Sequence, residues 1–207
     1  MLLAVACIGI ADETVTIAER RSFVPPVSVT AASYKLRIEV YSFLGTRWRT
    51  DDIAAALPRA AELLGQCAVA IDRVELVTLD AAPSFRYYDT PVSRELVRTL
   101  GARKPAVFFV EDTRNEPAFD AEAVGIANSA RRPELANTVW IAFGARDLPN
   151  AIAHELVHVL SDSGEHSDAP GNLMRDETSP ANVGLTAQQC ARVRNRGQAN
   201  GLLTRVR

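Results

Sequence analysis

The chain has 207 residues, 47% of them hydrophobic and 23% charged, with a formal charge of −2. That length supports one substantial core rather than two full domains, and a near-neutral balance without a basic excess excludes a protein built to hold nucleic-acid phosphates. Lys35 and Lys104 are the only lysines, and the many scattered arginines read as solvated surface.

Residues 2–11 form an apolar run of ten. This is shorter than the ~20 residues of a membrane-spanning helix and close to the apolar region of a signal peptide, so no stable membrane span is expected. No Lys or Arg precedes the run. The readings are a leader remnant or a buried N-terminal strand, and the first sets the expected location as secreted or periplasmic. Pro25 and Pro26, followed by small polar residues, read as a linker. The expected organisation is therefore a leader remnant or arm over residues 1–33 and a single domain over residues 34–207.

In residues 34–43 Leu36, Ile38 and Val40 alternate with Lys35, Arg37 and Glu39, the signature of a half-buried strand. A helix follows over residues 50–65, with Thr50 as N-cap, Asp51 and Asp52 in its first turn, a kink at Pro58 and Gly65 as its stop. Residues 72–80 alternate again. Residues 90–101 have proline just inside the start and glycine just past the end, which predicts a short helix. The apolar runs at 106–110 and 137–143 read as strands covered on both faces, and 121–129, with Gly125, as an edge strand or bulge. Strands alternating with helices argue for an α/β sandwich on a mostly parallel sheet. Cys67 and Cys190 suggest a disulfide in an exported protein and small buried hydrophobes in a cytosolic one.

All three histidines fall within residues 154–166. Asp147 as N-cap, Pro149 in the first turn and the stripe Ile152, Leu156, Val159 and Leu160 predict a helix that Gly164 can end. His154 and His158 are four residues apart, a rotation of about 400°, so both rings leave one face one turn apart. Glu155 sits about 100° round from them. This is the HExxH arrangement of zinc hydrolases. The bland reading is a surface helix, but the flanking residues are apolar, and buried imidazoles beside a carboxylate need a cation or polar partner.

A catalytic Zn2+ needs three protein ligands and one open position. His166 is the expected third ligand, with Glu165 and Asp168 as carboxylate rivals and Glu177 set apart in a loop-like stretch. Residues 170–174, PGNLM, then read as a tight turn that places Met174 beneath the site. Residues 186–189 have the spacing of a capping box at the start of a C-terminal helix.

With HExxH, a downstream histidine and this methionine turn, the chain resembles the metzincins. The resemblance implies a metzincin-like sandwich over about residues 34–204: a twisted, mostly parallel sheet with an edge strand, an active-site helix, a Met-turn and a C-terminal helix. It implies a zinc metallopeptidase in which His154, His158 and His166 bind zinc. The zinc-bound water would have its pKa lowered toward ~7, and Glu155 would be the general base. Its partner would be a peptide or protein substrate lying as an added strand near Gly125. Three departures stand out against the pattern HExxHxxGxxH: Ser161 replaces its glycine, Gly164 its third histidine, and His166 arrives two residues late. No tyrosine follows Met174, so no characterised subgroup is indicated. The alternative is a non-catalytic, zinc-stabilised binding domain with a closed four-ligand site.

Overall fold

The computed structural model describes residues 14–27, 29, 32–114, 123–126 and 132–206. The apolar run at 2–11, with Cys7, lies outside them. Strand β1 (Val15–Phe23) pairs antiparallel with β3 (Val69–Ala81), so the segment expected to be an arm up to residue 33 carries a strand of the main sheet. Its sequence hides this because β1 is an outer strand with mostly exposed side chains, and no apolar alternation marks it. Its pairing comes from the free edge of β3. A register shift between Ile17 and Glu19, with charged residues beyond it, blunts the exposed side. Pro25 and Pro26 then mark a connection within the domain rather than its boundary.

Strand β2 (Tyr34–Phe43) runs parallel to β3 and to β5 (Ala106–Val110), and β8 (Thr138–Ala142) is parallel to β5. The sheet ends at β7 (Ala123–Ile126), antiparallel to β8, as expected of an edge strand. Short β9 (Leu203–Arg205), absent from the sequence reading, lies antiparallel beside residues 34–36 of β2, where β5 has not yet begun. The two-residue strands β4 (Tyr87–Tyr88) and β6 (Asp112–Thr113) pair apart from this sheet. The result is the mixed α/β architecture with a mostly parallel sheet.

Helix α1 (Thr50–Gly65) places Arg49, not Thr50, at its N-cap and keeps Pro58 inside its span. Helix α2 (Thr90–Leu100) begins where the Asp89 carboxylate accepts the Val92 N–H and ends at Gly101, whose φ of 57° is left-handed. Helix α3 (Leu148–Ser161) and helix α4 (Ala187–Ala199) complete the set. Side chains of α1, α3 and α4 share one core with Val107, Phe109, Val139 and Ile141, while α2 joins Phe108, Val110 and Trp140 in the other. Strands β5 and β8 are therefore apolar at successive positions because both faces are covered.

Two interactions carry testable consequences. A disulfide joins Cys67, just past α1, to Cys190 on α4, closing a separation of 123 residues. Replacing both cysteines with alanine should lower unfolding free energy by about 2–4 kcal/mol in denaturant titrations, and reductant should then add nothing. Lys104 is half-buried with its ammonium donating to the Glu134 carbonyl at 2.8 Å, and its partial burial pushes its pKa down to about 8. Below that pH both folded and unfolded chains carry the proton. Above it the folded chain releases the proton first, so the unfolded state binds more protons and stability rises with pH. From about pH 8 to 10, wild type should gain stability relative to Lys104→Met; equal slopes in urea titrations would refute this.

Candidate metal centre

Every residue of α3 from Asn150 to Ser161 is buried. The helix starts one residue after Asp147, but Asp147 is left-handed and its side chain makes no cap; instead its carbonyl accepts the N–H groups of Asn150 and Ala151. The helix ends earlier than Gly164 implied. Asp162 takes the left-handed conformation, and the Ser163 N–H returns to the His158 carbonyl at 3.2 Å. That reversal sends residues 163–168 back over the histidine face.

Helical spacing brings the Nε2 atoms of His154 and His158 to 2.9 Å, and the reversal brings His166 Nε2 to 3.1 Å from that of His158. Each opposite ring nitrogen meets an oxygen. His154 Nδ1 lies 2.8 Å from the Leu173 carbonyl, His158 Nδ1 2.7 Å from the Ser163 carbonyl, and His166 Nδ1 2.7 Å from Asp176 Oδ1. Carbonyl and carboxylate oxygens only accept, so each Nδ1 carries the proton and donates it. In the neutral rings Nε2 is then the lone-pair atom, and the Nε2 atoms of His154 and His166 both face that of His158. Burial pushes the pKa of His154 down, and burial followed by the neighbouring His154 brings His158 to about 4, so both rings are neutral near neutral pH.

Three converging lone pairs repel unless a cation sits among them. Three imidazole nitrogens with oriented Nδ1–H groups suit zinc, copper, iron or nickel. A tetrahedral ion with bonds of about 2.0–2.1 Å would hold its ligand nitrogens about 3.3 Å apart, a few tenths of an ångström wider than the two spacings about His158. The donor set fits a metal.

The structure also sorts the expected site residues. Among the described residues, His154, His158 and His166 form the cluster that could hold an ion. Glu165 instead pairs with Arg192 of α4, and neither Asp168 nor Glu177 joins the cluster. Glu155 is buried beside His154 and His158 on α3. Met174 is buried, its N–H donates to Asn172 Oδ1, and its carbonyl accepts the Ser167 N–H at 2.8 Å. A cavity of about 270 Å³, lined in part by Val157, His166, Met174 and Arg192, lies beside the third histidine.

Sequence reasoning missed Asp176, because an acid in the charged stretch RDE has no local signal. It also missed the Asn172–Gln189 pair. Those two amides bond reciprocally at 3.0 and 3.1 Å, tying the methionine turn to the capping box of α4.

No protein-family model and no curated protein matches the chain. Among solved structures, metalloproteinase-II from Bacteroides fragilis matches with a TM-score of 0.53 and 19% identity. The match covers 83% of this chain and 55% of that one, so this chain spans little more than half its length. This chain shares the fold of that metalloproteinase.

If the converging rings bind metal, the purified chain should carry close to one divalent ion per molecule by elemental analysis. His158→Ala removes the nitrogen between the other two and should leave almost none after the same dialysis. Full retention would mean that the ion sits elsewhere.

Proposed function

We propose that the chain is a zinc-dependent endopeptidase with His154, His158 and His166 as metal ligands and Glu155 as general base. The observation that carries this reading is the convergence of three lone pairs beside a buried glutamate, on a fold shared with a metalloproteinase. Bound zinc would supply Lewis acidity for the scissile carbonyl and acidify a coordinated water.

The chain's own residues have distinct tasks. Oriented Nδ1–H groups hold the three rings so that their Nε2 atoms face one point. Glu155 takes a proton from the attacking water and returns it to the leaving amine, and its buried setting favours proton transfer over solvation. Strand β7 pairs with β8 on one side, and its other edge has no partner strand among the described residues. An extended peptide added there by backbone hydrogen bonds would lie along the site. The whole organisation is that of a metzincin-like catalytic domain, with β1 part of it. A secreted or periplasmic location suits the disulfide, which persists in oxidising compartments.

The closed-site alternative would need a fourth side-chain ligand. Three gather among the described residues, and Glu165 is engaged with Arg192.

Glu155→Gln decides between the two. It should keep its metal and cleave an unstructured protein such as casein about 10²–10⁴-fold more slowly than wild type, measured by release of new amino groups. Undiminished cleavage would remove Glu155 from the mechanism. Metal retained with no cleavage by wild type would turn the assignment to a binding domain.

A further inference from the structure

The three imidazoles are held in unequal ways. His154 and His158 are buried and donate to neutral backbone carbonyls, whereas the side chain of His166 is 42% exposed and donates to a carboxylate that is itself 79% exposed. This division follows from desolvation: an unpaired carboxylate beside the buried rings would be costly, while at the rim water offsets that cost. We propose that Asp176 is the positioning residue for the third ligand, fixing the tautomer and direction of His166 so that its Nε2 faces the other two. This rests on the metal reading above and extends it to a residue outside the ligand set.

Asp176 is exposed but its backbone is anchored on both sides. The Arg175 N–H donates to the Asn172 carbonyl and its guanidinium to the Asp168 carbonyl at 2.8 Å. The Glu177 carbonyl accepts from Asn182 Nδ2 at 3.0 Å, and the Asn182 carbonyl accepts from Asn150 Nδ2 on α3, also at 3.0 Å. The ion-bearing helix thus braces the loop that presents the carboxylate.

The partner is needed because of how His166 arrives. His154 and His158 inherit their spacing from the helix, but His166 comes from a loop. That loop is stapled by the Ser167 N–H to the Met174 carbonyl and by Arg192 to Glu165 and the Ser163 hydroxyl. These contacts fix the loop's backbone; of the contacts described, the one to Asp176 fixes which ring nitrogen carries the proton. A carboxylate there also raises the ring's basicity toward a cation, as partners beyond the ligands commonly do at metal sites.

The test uses the full chain, stripped with chelator and titrated with Zn2+ against a chromophoric competitor. Asp176→Ala should bind about 10–100-fold more weakly. Asp176→Asn, whose amide oxygen can still accept from Nδ1, should fall between Asp176→Ala and wild type. Because the carboxylate is exposed, the metal-free melting temperature should not move. In the metal-free protein at mildly alkaline pH, nitrogen NMR should find the His166 proton on Nδ1 in wild type and shifted toward Nε2 in Asp176→Ala. Zinc affinity within twofold of wild type overturns the proposal while leaving the peptidase reading intact. Weaker affinity with the tautomer unchanged overturns it too, since Asp176 would then act only as a nearby charge. A wild type that takes up no zinc defeats the metal reading and this one together.

Discussion

The site depends on the burial of α3. A helix covered at every residue from Asn150 to Ser161 cannot leave two imidazoles and a carboxylate unsatisfied, because each would forfeit its hydration for nothing. Backbone carbonyls satisfy the Nδ1 side of His154 and His158, which forces the lone pairs inward. Such an arrangement suits a cation. The apolar residues around the histidines therefore shape the site as much as the histidines do.

The carbonyls must themselves be held in place, and this explains the polar network behind the methionine turn. Leu173 presents its carbonyl to His154 between Asn172 and Met174. Asn172 grips Gln189, and the same Gln189 amide oxygen accepts the Thr186 N–H that opens α4. One glutamine thus both caps a helix and fixes a turn that orients the His154 ring. Further back, Gln66 at the end of α1 donates to the Val183 carbonyl and accepts the Leu185 N–H, and the disulfide joins the same two regions. Local capping, covalent linkage and orientation of the His154 ring form one continuous support.

The sheet supplies the other half of the geometry. Strand β8 carries Trp140 toward one core and Val139 and Ile141 toward the other, and the chain passes directly from it into the loop before α3. Covering β5 and β8 on both faces leaves the β7 side as the edge next to that helix. The opposite edge, at β1, is charged and carries a register shift, so the two edges differ in their readiness to accept another strand.

Features that depend on neighbours in the chain were legible before the structure. Strand β2 shows its half-buried face, β5 and β8 their double burial, α4 its capping box, and HExxH the pairing of His154 with His158, because residue spacing alone determines these faces. Features set by distant segments were not. Strand β1 forms because β3 has a free edge. His166 prevails over Glu165 because Arg192, from another helix, draws the glutamate away, and Asp176 becomes a partner because its loop is braced against α3. The sequence by itself determined that two imidazoles leave one helix face one turn apart with a glutamate beside them, since 3.6 residues per turn sets those angles. Only the tertiary structure decided which side chain completes the triad and which oxygens orient it, because those contacts join separate segments that only the packed fold brings together.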